Sequence, residues 1–246
     1  MKIVRDTLLI AWMKSYPDIR RNPLIMIVIG MINAMPLFFI AIFARGEMFI
    51  HGLVGAMVST VGLLGIMASI QEMAWDRYVK IREMIVAMPI HPVSYAVGIA
   101  LAPLIISIPG LALFIILTIL TGNVSFVAIL YAIPLLLMCW LCMSAIGFLI
   151  STYLRKLSPY ALNNISNIIG IGLMFIPPVY YPEEMLGSFS WISQLIPTSN
   201  VAGLIRGTLG LSNMKLEIYV FRFALLLIIT VICLLLTSFK ARWREI

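Results

Sequence analysis

Few side chains in this chain of 246 residues could do chemistry. Glu183 and Glu184 form a carboxylate pair, a residue type suited to general acid–base work or cation binding. They follow Tyr180-Tyr181-Pro182 and have no further acid, base or metal ligand nearby in sequence, which predicts a solvated loop edge rather than a catalytic or ion site. Cys139 and Cys142 have the C-x-x-C spacing of redox and metal sites, but apolar residues surround them, so they read as inert buried thiols. His51 falls at the boundary of one apolar run, and His91 lies in a turn between Ile90 and Pro92. None of the lysines follows a glycine, so the chain lacks a G-x-x-x-x-G-K-[ST] phosphate loop. It also lacks G-x-S-x-G and H-E-x-x-H. The most unusual spacing belongs to amides. Asn163, Asn164, Ser166 and Asn167 sit in an apolar run, and Asn163, Asn167, Gly170 and Met174 share a face at helical spacing. Amides facing lipid are costly, so this face either hydrogen-bonds to other helices or lines a translocation path.

The elements that must position these residues are membrane helices. No Asp, Glu, Lys or Arg occurs from Met84 to Leu154. A charge at the centre of a spanning helix costs about 2.5–3.5 kcal/mol on insertion scales, which empties such stretches of charge. A single span needs about 20 residues, so this stretch turns back at least once. Hydrophobic residues make up 62%, charged residues 11%, and mean hydropathy is +1.08. A soluble domain is about one quarter charged. The net charge of +7 does not imply nucleic acid, because the basic residues sit in short clusters beside apolar runs, where topology-setting charges belong.

The expected architecture is an all-α integral membrane domain over 1–246 with six spans: 23–44, 51–71, 93–120, 126–153, 160–176 and 217–239. Residues 1–22 read as an interfacial amphipathic helix with Val4, Leu8, Ala11, Trp12 and Ser15 near one face. The second span carries a small-residue stripe, Gly52, Gly55, Ala56, Ser59, Gly62, Gly65 and Ser69, expected to pack against other helices. Residues 72–92 break the apolar pattern with Glu72, Asp76, Arg77, Lys80, Arg82 and Glu83. Asp76 and Lys80 have the favourable i,i+4 order, and the segment is expected to form a short charged helix that links two spans or docks a partner. Residues 177–214, rich in Ser, Thr and Pro, read as two short half-inserted helices around Pro197 rather than a span. Arg222 is expected to snorkel from the outer end of the last span. No buried acid or base is expected within the spans, so any transport would draw its energy from elsewhere.

With six spans, one side of the membrane holds Lys2, Arg5, Lys14, Arg20, Arg21, Arg77, Lys80, Arg82, Arg155, Lys156, Lys240, Arg242 and Arg244. The other holds Arg45, Arg206, Lys215 and Arg222. The positive-inside rule places both termini and the 72–92 helix in the cytoplasm of a cell-membrane protein.

Three segments together resemble the permease family of type-2 ABC transporters, the membrane subunits of ABC exporters. They are Ile19-Arg20-Arg21-Asn22-Pro23; Trp75-Asp76-Arg77 through Lys80-Ile81-Arg82-Glu83-Met84 with Met88-Pro89-Ile90-His91-Pro92; and Phe175-Ile176-Pro177-Pro178-Val179-Tyr180-Tyr181-Pro182 through Ile196-Pro197-Thr198-Ser199-Asn200 and Leu204-Ile205-Arg206-Gly207. Gly98-Ile99 departs from the Gly-Lys of many members. The resemblance implies a homo- or heterodimer of permease protomers in the lipid bilayer, each bound to a separate cytoplasmic ABC ATPase subunit. That ATPase would use ATP and Mg, while this chain would bind no cofactor and no nucleic acid. Residues 72–92 would be the coupling helix, with Asp76, Arg77, Lys80, Arg82 and Glu83 as contacts to the ATPase. Asn163, Asn167, Gly170 and Met174 would line or gate the path, together with the half-inserted segment.

Overall fold

The computed structural model describes residues 2–24, 47–80, 90–121 and 124–240, together with 26, 28, 31, 32, 35–37 and 40. Among the described residues the fold is all-helical. The main elements are α1 (Lys2–Arg21), α2 (Glu47–Tyr78), α3 (Pro92–Thr121), α4 (Phe126–Tyr153), α5 (Pro159–Phe175), α6 (Pro197–Thr208) and α7 (Leu216–Lys240). Four of them, α2, α3, α4 and α7, are long and apolar enough to cross a membrane. α5 has 17 residues, at the lower limit for a span. The expected first span, 23–44, lies largely outside the described residues.

Local signals set the helix ends. Ser125 and Ser158 cap α4 and α5 by accepting from the amides of Ala128 and Ala161, each at 3.2 Å. Pro159 follows Ser158 at the first helical position, where its missing N–H costs nothing. α6 ends where Gly210 takes a positive φ of 73°, so that Leu211 N–H reaches back to Arg206 O at 2.9 Å and Gly210 N–H to Gly207 O at 3.2 Å.

α2 is the axis of the fold. Its most apolar window is 78% buried, against 28%, 44% and 22% for α3, α4 and α7. The small-residue stripe is what lets the neighbours close in. A Cβ added at Gly55 would stand 2.7 Å from the Tyr180 backbone, and one at Gly62 would stand 2.6 Å from the Met174 methyl. One at Gly65 would meet Trp140 O at 3.1 Å. Gly147 of α4 reciprocates by bringing its backbone against Ile66 O. These contacts make α2 and α4 parallel, with α5 running back beside them.

Two elements depart from the expectation. α2 does not stop at Gln71; Glu72–Tyr78 are its last two turns. Met73 and Ala74 continue its buried face, and its charges find partners on other helices, so nothing forces a break. The chain turns only at Val79-Lys80, where Lys80 has a φ of 62°. Lys80 therefore lies beyond the helix and does not pair with Asp76. The remainder of the expected coupling helix, including Arg82 and Glu83, lies outside the described residues.

α1 buries Asp6, Ile10, Ala11 and Ser15 against the protein and turns Leu8, Leu9, Trp12, Met13 and Tyr16 outward. The apolar pattern therefore splits into a protein face along α3 and an outer face, and Val4, Leu8 and Trp12 belong to the second. Gly98 makes the close approach possible, since a Cβ there would lie 2.7 Å from the Ile10 Cβ. Ile99, beside it, is fully buried, where a lysine would need a partner.

Residues 177–214 form a 3-10 stretch (Glu183–Phe189), a single helical turn (Ser190–Ser193) and α6, with a kink at Gly187. No helix of spanning length occurs there. α6 is buried along nearly its whole length, from Thr198 to Arg206.

Candidate functional site

Two clusters of charged side chains occupy opposite ends of α2. At the C-terminal end, Asp76 is 2% exposed. It accepts from Lys14 of α1 at 2.6 Å and from the Tyr95 hydroxyl of α3 at 2.5 Å. Lys14 also reaches Glu72 at 2.8 Å. Burial lowers the Lys14 pKa, but Glu72 and Asp76 outweigh it and leave the ammonium above its usual 10.5. Arg77 turns the other way and donates to Ser151 O at 2.8 Å and Ser151 Oγ at 2.9 Å. Ser151 lies in the last turn of α4, where carbonyls lack intrahelical partners and the helix dipole favours a cation. Of the five residues expected to contact an ATPase, Asp76 and Arg77 thus face inward and tie α1, α3 and α4 to α2. Lys80 is exposed. The signal for the first pairing was Lys14 itself, a lone cation inside a helix 62 residues upstream.

At the opposite end, Glu183 is not a solvated loop edge. Its carboxylate takes both terminal nitrogens of Arg222 from α7, with Nη2 to Oε2 at 2.5 Å. Ser193 Oγ adds a third contact at 3.2 Å. Arg222 is 3% exposed and points into the protein rather than snorkelling to a membrane surface. The partner missing from the local sequence lies 39 residues downstream. The pair fits only because position 203 is glycine; a Cβ there would fall 2.0 Å from Arg222 Nη1. Arg206, 2% exposed, donates to Pro178 O at 3.0 Å and to Val179 O, so its hydrogen-bond partners are backbone carbonyls. Tyr180 closes the segment onto α2 through its hydroxyl, which donates to Ser59 Oγ at 2.5 Å. Buried ionisable groups therefore do occur in the apolar helices, at Asp76 and Arg222. Both lie near helix ends and both are paired.

On α5 the candidate path residues separate. Gly170 and Met174 are packed against α2: a Cβ at Gly170 would meet Met67 Cγ at 2.9 Å, and Met174 fills the notch at Gly62. Asn163 and Asn167 are half-buried at the edge of that contact. Ser166, between them, accepts from Gln71 Nε2 of α2 at 3.2 Å. Asn164 is exposed on an outward stripe with Ile168, Ile171 and Phe175. Cys139 and Cys142 are buried and unbridged, as a structural role requires.

Comparison with protein-family models and with curated proteins finds no match to this chain.

Proposed function

We propose that this chain is the membrane-spanning permease subunit of an ATP-driven exporter. It would sit in the cell membrane with six spans and both termini cytoplasmic, work as a dimer, and be powered by a separate ATPase subunit that binds ATP and Mg. The observation that carries this reading is the node at the C-terminal end of α2. Asp76 and Arg77 clamp three other helices to α2, and the chain then leaves the clamp through the exposed Lys80 toward Arg82 and Glu83. A force applied to the segment after Tyr78 would move α2 and everything clamped to it. At its far end α2 holds the 177–214 segment through Ser59 and Gly55. Such a rod suits coupling of ATPase closure on one side to gating on the other. The outward Asn164, costly against lipid, favours a second protomer or a water-filled path on that face of α5. The exported compound would be a drug, lipid, glycan or ion.

Purification of the tagged chain from mild detergent extracts of native membranes tests the proposal. The expected result is a stoichiometric ATPase bearing a phosphate loop, lost on charge reversal at Arg82 and Glu83 while membrane insertion is retained. A partner without ATPase sequence, or none, would favour a membrane anchor or assembly factor instead.

A further inference from the structure

Beside the Glu183–Arg222 pair lies a cavity of about 280 Å³, lined by Arg206, Arg222, Glu183, Gln194, Ser212 and Met214 among others. Two arginines and two glutamates line it, but they are not paired one to one. Glu183 is committed to Arg222, whereas Arg206 has no carboxylate within salt-bridge distance among the described residues. Glu184 lies at the exposed rim. Both arginines, each almost fully buried, keep an Nε–H without an acceptor, and the Ser212 hydroxyl is likewise unpartnered. A buried guanidinium satisfied only by neutral carbonyls is costly, and an incoming anion would offset that cost. A water occupies about 30 Å³ of liquid, so the space admits a headgroup-sized oxyanion.

The neighbouring cavity, about 440 Å³, has the opposite character. Tyr131, Pro134 and Leu135 of α4 face Tyr219 and Phe223 of α7 across it. Met214 lines both cavities. Tyr131 and Phe223 are 65% and 40% exposed on the outer surface of the two spanning helices. The apolar cavity thus opens sideways, toward lipid, and the cationic one lies behind Met214.

We infer that the two cavities form one site for an anionic amphiphile, with a phosphate- or carboxylate-type head at Arg206 and Arg222 and an apolar tail between α4 and α7. The site would bind whether or not the chain is an exporter, so its test is binding alone. The full chain in phosphatidylcholine nanodiscs would be titrated with radiolabelled monododecyl phosphate, with inorganic phosphate and dodecanol as competitors. The expected result is saturable binding, with each competitor weaker by at least about tenfold. Met214→Trp would fill the shared wall without touching either arginine, and Arg206→Gln would remove the cation. Each should weaken binding by about tenfold or more. Met214→Trp decides the matter if Arg206→Gln does not fold. Absence of saturable binding, or an unchanged affinity in Met214→Trp, would overturn the inference. Dodecanol competing equally would reduce it to an apolar cleft, and inorganic phosphate competing equally would reduce it to a free-anion pocket; either result overturns the amphiphile assignment.

Discussion

The two ends of α2 are built from the same kind of interaction with opposite bias. At one end two carboxylates, Glu72 and Asp76, share one lysine; at the other, Arg222 takes the Glu183 carboxylate while a second guanidinium, Arg206, is held by the carbonyls of Pro178 and Val179. The first cluster joins four helices through a flexible lysine and two hydroxyl- or carbonyl-bearing partners. The second holds an irregular segment to α7 through a forked, geometrically fixed pair with no slack, since a single added methyl at Gly203 would collide with it. A lysine is a point charge on a flexible stem, whereas the arginine fork fixes orientation as well as distance. The contrast teaches that the C-terminal end of α2 is held by a contact that tolerates small displacements, and the other end by one that fixes orientation as well as distance.

That contrast can be broken by mutation. The largest effect is expected from Arg222→Met, which leaves Glu183 without its cation among buried groups. Loss of one partner from a buried pair costs about 3–5 kcal/mol, so thermal unfolding in detergent should show a large drop. Restoration by Glu183→Leu in the same chain would show that the charge, not the packing, was at fault. Gly203→Ala should follow at about 1–3 kcal/mol by overpacking, with the Glu183–Arg222 contact displaced in a structure of the variant. Lys14→Met should cost a comparable amount, about 1–3 kcal/mol, limited because Asp76 keeps its bond from Tyr95. Limited proteolysis should then release α1 before the rest of the chain unfolds.

The smallest effect is a pH dependence. Lys14 is held above 10.5 in the folded chain, so its contribution is complete below that value. It should fade as pH rises through the folded pKa. Melting curves of the wild type and Lys14→Met should therefore converge in strongly alkaline buffer; parallel curves throughout would count against the assigned role.

The sequence made the long helices legible because hydropathy reports burial in lipid directly. The spans expected at 93–120, 126–153 and 217–239 match α3, α4 and α7 to within about two residues at each end, the ordinary fraying of helix boundaries. The break between the spans at 120 and 126 could be read for the same reason, and in the structure Ser125 caps the helix that follows. Hydropathy failed where charges are buried in pairs. Asp76 was matched to Lys80 by i,i+4 spacing, and Arg222 to the membrane surface by its nearness to a helix end. Each has a partner on an element far away in sequence, which no local period encodes. Gly203 illustrates the same limit. Its reason to be glycine is an arginine 19 positions downstream that only the fold brings within contact. The amides of α5 were legible as unusual but not in their individual roles, since half-buried and exposed positions differ by only about 100° around one helix.

The central claim is that the segment following Tyr78 docks an ATPase. A photo-crosslinking amino acid placed at Lys80, activated in native membranes, tests it most directly, because that residue is exposed just beyond the clamp. The account predicts a single major adduct whose partner is a soluble subunit with a phosphate loop. An adduct with a protein lacking that loop, or none from a chain shown to be inserted, would contradict it.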